Sequence, residues 1–211
     1  MREIKVYIEG GGSTRYTKIP FREGFDVFFL YLKDLAFEHD CSLTFIPCGG
    51  GEETLRNFDF ALANNPDSIN LLLIDAEGTV INNSSPKSHL SSRWQNSNAN
   101  DRQCHLMVQI MEAWFFANID VLYDFYGIDR NNNSPLDIYQ NIQNVENLDE
   151  DKIRQTMLDI SRCSSHGDYE EYGKVKQAVE ILEELDLDIV REKAYHCDKF
   201  CIAVESFIQQ T

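Results

Sequence analysis

Positive charge is scarce in this chain: 19 Lys and Arg stand against 35 Asp and Glu among 211 residues, a formal net charge of −16. That balance opposes unaided, non-specific capture of a polyanion, so a nucleic-acid substrate would have to be held by a local basic patch, a metal ion or a partner protein. Long apolar runs are missing as well. No stretch approaches the ~20 residues of a membrane span, and because Met1-Arg2-Glu3 leads straight into a strand-like run, no secretory leader is expected. The six cysteines (Cys41, Cys48, Cys104, Cys163, Cys197, Cys201) follow no regular framework, which points to a reducing, cytoplasmic setting. Cys197 and Cys201 lie four apart beside His196, but no second ligand pair at zinc spacing accompanies them, so they read as buried thiols on an apolar helix face. Gly10-Gly11-Gly12 and Gly49-Gly50-Gly51 lack both the Gly-Lys-Ser/Thr ending of a triphosphate loop and the spacing of a dinucleotide fingerprint. They do not support an ATPase and read as turns that let backbone pass close to something. There is no internal repeat.

What is there is an alternation of short apolar runs and helical spacings. Ile4–Ile8, Ser42–Ile46 and Ile69–Ile74 read as strands. Phe25, Phe28, Phe29, Leu32, Leu35 and Ala36 predict a helix over about 22–39, and Leu55, Phe58, Ala61 and Leu62 predict another before Asn64. Strand, helix, strand, helix, strand is the order of an α/β fold with a parallel sheet covered on both faces. Residues 82–102 are polar, rich in Ser and Asn, with His89, Arg93 and Trp94 among them. A loop of that length beginning just after Glu77 is expected to be mobile and to border the site, with Trp94 as a candidate stacking residue. His105–Met111 is a fourth apolar stretch, and residues 130–135 look like a boundary. The expected organisation is an α/β domain over 1–129 and a helical C-terminal lobe over 130–211, whose amphipathic faces are candidates for docking a partner. Acidic runs at 146–151, 168–171 and 180–188 read as solvated helix faces.

Two of the strands end in the same form, an apolar run, a carboxylate and then glycine: Ile8-Glu9-Gly10, and Ile74-Asp75-Ala76-Glu77-Gly78. In a parallel sheet both ends face the edge where ligands bind. Side by side they would gather Glu9, Asp75 and Glu77, whose mutual repulsion and hard oxygens suit Mg²⁺ or Mn²⁺. Glu112 sits inside an apolar segment, where a carboxylate needs a partner. It reads either as a fourth acidic group of the cluster, or as one half of an ion pair with a Lys or Arg or a residue at a helix N-terminus. His105 reads as a phosphate-orienting or acid group, or as a structural hydrogen-bonder. Lys174 follows Tyr172-Gly173 at a helix start, an unfavourable end for a cation, which favours an anion nearby.

Glu9-Gly10 followed by Asp75-Ala76-Glu77 resembles the Toprim signature of topoisomerases, primases and overcoming-lysogenization-defect nucleases. With His105-Leu106-Met107-Val108-Gln109, Met111-Glu112-Ala113-Trp114 and Tyr172-Gly173-Lys174-Val175, the chain resembles an uncharacterised bacterial Toprim-like family of about this length. That family is found beside chromosome-maintenance-type ATPases of the ABC class in defence loci. The resemblance implies a Toprim-like fold and Mg²⁺- or Mn²⁺-dependent phosphodiester chemistry, a nuclease in antiviral defence. It implies Glu9 as general base or metal-organising group, and Asp75 and Glu77 as metal ligands. Glu112, His105 and Lys174 are the further catalytic candidates. It also implies a partner ATPase that supplies the grip on nucleic acid. The chain departs from the pattern in having Glu at 77 where Asp is common, and Asn118 where an acid is expected. A second reading of the same residues is a non-catalytic, Toprim-derived subunit that docks or regulates a partner, and a homo-oligomer is left open.

Overall fold

The protein is described by a computed structural model covering residues 1–80, 84–90, 94, 98–162, 164–169 and 171–210, without the side chains of 171 and 172. β1 (Arg2–Glu9) alternates in burial: Ile4, Val6 and Ile8 enter the core on one face and Tyr7 on the other. It is a central strand. β2 (Cys41–Gly49) pairs with it in parallel on one side and β3 (Ile69–Asp75) on the other, and β4 (Cys104–Met107) pairs in parallel with β3, giving the order β2-β1-β3-β4. Parallel neighbours need crossovers. α1 (Arg15–Phe28) and α2 (Leu30–Glu38) link β1 to β2, and α3 (Gly51–Asn64) links β2 to β3. This is the expected α/β class, a parallel sheet with helices on both faces.

The helix expected over 22–39 is two helices, starting seven residues earlier than the periodicity suggested and broken at Phe29 (φ −100°, ψ 27°). The packing accounts for the break. The Phe29 ring is wholly buried, with its centroid 5.2 Å from Phe45, 5.3 Å from Phe200 and 6.2 Å from Trp114. One aromatic side chain thus ties the first helices to the sheet and to the C-terminal helices.

After β4 the chain forms a 3₁₀ segment (Met111–Phe116), α5 (Ile119–Tyr126), α6 (Glu150–Arg162), α7 (Glu171–Glu184), α8 (Leu187–Lys193) and α9 (Tyr195–Gln209). α7 packs on α1, and α9 packs on β4 and α2. A single apolar cluster therefore runs from Ile4 to Ile208, and Trp114 lies within it. Much of the apolar surface of the helices beyond Pro135 is buried in this cluster, while Ile138, Tyr195 and Ile202 stay exposed. Glu146, read as part of a solvated run, is buried: its Oε1 accepts the His196 backbone N–H at 2.6 Å and its Oε2 lies 2.8 Å from His196 Nδ1. Cys197 and Cys201 are buried as expected, and Cys163 lies outside the described residues.

The second layer covers the other face with α3 and the polar segment after β3. That segment is not a bare loop. Its α4 (Pro86–Leu90) packs on β4, and Leu90, Trp94 and Ala99 are buried. Trp94 sits 5.8 Å from the Phe58 ring and its Nε1–H donates to Asp59 at 2.7 Å, so it is a packing residue rather than an exposed stacking platform. His89 Nε2 lies 2.9 Å from the Ala76 carbonyl oxygen. Asn82 and Arg93 lie outside the described residues. Among the described residues no helix is long and apolar enough to cross a membrane.

α1 crosses α7 at Gly24, where an added Cβ would stand 3.3 Å from Val179 Cα and 3.2 Å from its Cγ1. Replacing glycine at an exposed helix position gains about 1 kcal/mol. Gly24→Leu should instead lower the unfolding free energy by about 1–3 kcal/mol in urea denaturation, because the backbone of α7 has nowhere to go. A stabilised variant would mean that the two helices do not meet here.

Candidate functional site

The carboxyl edge of the sheet opens into a cleft of about 520 Å³. β1 and β3 are neighbours in register, Ile8 opposite Leu73, so Glu9 and Asp75 leave the sheet side by side. Their contact is direct: the Asp75 backbone N–H donates to Glu9 Oε2 at 3.2 Å. The turn after Glu9 is made by Gly10, Gly11 and Gly12 at φ 118°, 78° and 66°, a left-handed run that side chains rarely adopt. Gly10 exchanges two backbone hydrogen bonds with Gly49, at 2.7 and 3.0 Å, which brings the start of α3 next to Glu9. A Cβ on Gly51, the first residue of α3, would lie 3.3 Å from Glu9 Oε1. The Glu9 carboxylate therefore rests at a helix N-terminus, whose partial positive charge favours an anion.

Asp75 Oδ1 accepts the Met111 N–H at 3.0 Å, which fixes the carboxylate to the segment after β4. Burial, then the negative charges of Glu9 and Glu112, push its carboxyl well above the ordinary 3.8, against the opposing pull of Lys174 and the Met111 hydrogen bond. Glu112 is only 3% exposed, and the structure combines its readings, in the first turn of the 3₁₀ segment. It lines the cleft, and its Oε1 pairs with Lys174 Nζ at 2.6 Å and accepts from the Tyr169 hydroxyl at 3.3 Å. The anion beside Lys174 at the start of α7 is thus Glu112. Burial and the Glu112 charge hold the Tyr169 hydroxyl well above its ordinary value, keeping it a donor.

Glu77 is at the exposed rim of the same cleft, but not as an extension of the strand. β3 ends at Asp75, and Glu77 turns into the left-handed region at φ 53° with its N–H on the Gln109 carbonyl at 3.0 Å. The i, i+2 spacing that would align two carboxylates on one strand face does not operate past the strand end. His105 is not brought to the cleft. It lies on β4 two residues before the edge, on the face turned to α9, with its ring 5.3 Å from Phe200 and its Nε2 3.2 Å from the Arg102 carbonyl oxygen. Burial lowers it to about 4, so it is a neutral core histidine. The side chain of Tyr172 lies outside the described residues. None of the described residues of the 82–101 segment lines the cleft; Leu90, Trp94 and Ala99 pack instead in the cluster with Phe58 of α3 and Leu106 of β4.

The helical spacing of Ile153, Met157 and Ile160 predicts α6 (Glu150–Arg162), but not its place in the cleft. Arg154 and Glu150 line the cleft, joined by hydrogen bonds of 2.9 and 2.7 Å to Glu150 Oε1. Their i, i+4 spacing is legible as a helix-surface ion pair, but nothing in the sequence ties that helix to the edge of the sheet. The described walls of the cleft carry five acidic residues, Glu9, Asp75, Glu77, Glu112 and Glu150, and two basic ones, Arg154 and Lys174.

Among the described residues no three His, Cys, Asp or Glu groups form a ready-made metal cluster. The expected Glu9, Asp75 and Glu77 set is not closed, since Glu77 has turned to the rim. The donors that do converge, two hard carboxylates in an open and net negative cleft, suit Mg²⁺ or Mn²⁺. Such ions keep several waters and take one or two protein carboxylates plus substrate oxygens.

Two outcomes follow. The native Asp75 carboxyl titrates above its unfolded value of 3.8, so the folded state binds the proton more tightly and stability falls as pH rises between those two values. Asp75→Asn should raise the apo melting temperature at neutral pH, with the gain vanishing as the pH drops below about 3.8. A gain that persists there would mean another cause. Lys174→Met leaves Glu112 buried without its cation and should cost about 2–3 kcal/mol, less than for a fully buried pair because Lys174 reaches solvent. Combining it with Glu112→Leu should recover most of that loss in chemical denaturation.

No curated protein and no solved structure matches this chain. A family model described as a domain of unknown function (DUF4276) matches residues 33–205, from within α2 to within α9, which leaves β1 and Glu9 ahead of the matched region. That match spans well over half of the sequence, and the chain belongs to the DUF4276 family.

Proposed function

We propose that this chain is a metal-dependent phosphodiesterase acting on nucleic acid. The observation that carries the reading is the meeting of Glu9 and Asp75 at the carboxyl edge of the sheet, with Lys174 and Arg154 in the walls of the same cleft. Glu9 and Asp75 would hold Mg²⁺ or Mn²⁺, which supplies Lewis-acid polarisation of a phosphoryl oxygen when bound. The side chains do the rest. Lys174 and Arg154 bind non-bridging phosphate oxygens, and Glu9, steadied at the N-terminus of α3, takes the proton of the attacking water. Glu112 holds Lys174 in place, and Met111 fixes the orientation of Asp75 through its N–H. The resemblance to Toprim enzymes supports the same chemistry.

The net charge of −16 makes long-range capture of a polyanion unfavourable, so in this reading a partner brings the substrate to the cleft. The partner implied by the resemblance is a chromosome-maintenance-type ATPase, with an antiviral role for the pair.

Purified chain, alone and with such a partner, is incubated with single- and double-stranded DNA and RNA in Mg²⁺ or Mn²⁺. Cutting is expected, and Glu9→Gln should slow it about 10²- to 10⁴-fold, the usual contribution of a general base. Intact substrates under all of these conditions would remove the hydrolytic reading in favour of a regulatory subunit. Unchanged cutting by Glu9→Gln would remove Glu9 from the chemistry.

A further inference from the structure

A second cavity, of about 350 Å³, adjoins the cleft. Its apolar walls are Ile153, Met157 and Leu158 of α6 and the buried ring of Tyr169. It shares three lining residues with the cleft: Glu112, Arg154 and Lys174. The Glu112–Lys174 ion pair therefore forms a common wall between an acidic groove and an apolar pocket, and Tyr169, whose hydroxyl bonds Glu112 Oε1, lines the pocket.

That juxtaposition selects its ligand. Ligand sites are apolar hollows of a few hundred Å³ with a few placed polar groups, and this pocket is at the small end of that range, with room for one flat heterocycle. An aromatic wall and aliphatic neighbours suit a π-face. The two cations at its border suit an anion attached to that ring, and the Tyr169 hydroxyl and Glu112 carboxylate are polar groups for a ring edge. We propose that this pocket takes an unpaired nucleobase, with the attached phosphate beside Lys174 and Arg154. The proposal rests on the phosphodiesterase reading of the cleft and narrows it. A base inside the pocket cannot be paired or stacked in a duplex, so the substrate is single-stranded nucleic acid, an end, or a flipped nucleotide.

The test needs no turnover. Binding of dAMP, dTMP and deoxyribose 5-phosphate to the wild-type chain is measured by calorimetry in Mg²⁺. Both nucleotides should bind at least about tenfold tighter than the sugar phosphate, the size of one base-stacking contact. Leu158 is only partly buried, and Leu158→Trp, which fills the pocket, should shrink that preference below about twofold while sparing sugar phosphate binding. Equal affinities for nucleotide and sugar phosphate in the wild type, or no binding of any of the three, would overturn the pocket, and that comparison stands even if the variant does not fold. A preference that a folded Leu158→Trp leaves intact would overturn it too. The two readings fail separately. Base preference in a chain that cuts nothing keeps the pocket and removes the hydrolytic reading, whereas cutting without base preference removes the pocket alone.

Discussion

Burying the Glu112 carboxylate is the constraint from which the architecture of the site follows. All six residues of Met111–Phe116 are buried, and Glu112 is the one among them that carries charge. A carboxylate in that position is tolerable only with a cation and a hydrogen-bond donor at hand. Both come from far along the chain: Lys174 from α7 and the Tyr169 hydroxyl from the segment before it. The C-terminal helices are thus part of the site and not a covering added to a finished domain. The same charge adds to burial and the Glu9 charge in holding the Asp75 carboxyl above the ordinary range, so the Glu112–Lys174 pair links the sheet edge, the 3₁₀ segment and α7.

The sheet contributes position. Parallel strands deliver their last residues to one edge, and pairing of β1 with β3 sets Glu9 beside Asp75 without help from any loop. Local backbone then refines the geometry: the left-handed glycine turn brings the N-terminus of α3 against Glu9, and the Met111 N–H restrains Asp75. The aromatic packing around Phe29 and Trp114 keeps α1, α2 and α9 on the sheet and so holds the wall on which α7 rests. Charge is arranged on a smaller scale than the total suggests. The molecule is strongly acidic as a whole, yet Lys174 and Arg154 are set where the acidic cleft meets an apolar pocket.

Much of this was legible in the residues. The short apolar runs of Ile4–Ile8 and Leu71–Ile74 and the helical spacing of Leu55–Leu62 specify an α/β order, because a strand covered on both faces is apolar throughout and a helix buries one stripe. Glu9 and Asp75 were legible because a strand-end carboxylate followed by glycine has the same meaning in any parallel sheet. Other features were not. His105 has the composition of a site residue, but which face of β4 it occupies depends on the register of β4 against β3. Glu77 stands two residues from Asp75, but the strand ended between them. Trp94 lies in a polar stretch, and only the approach of α3 shows that it is buried on Phe58.

By itself, then, the sequence determined the order of the elements, the parallel sheet and the two carboxylates at its edge, all of which are set by local periodicity and by chain direction. Tertiary structure alone decided the partner of Glu112, the presence of Arg154 and Glu150 in the cleft, and the apolar pocket that shares its wall. Those depend on contacts between residues as much as 62 positions apart, such as Glu112 and Lys174. No local pattern encodes them, because they arise from the packing of one whole element against another.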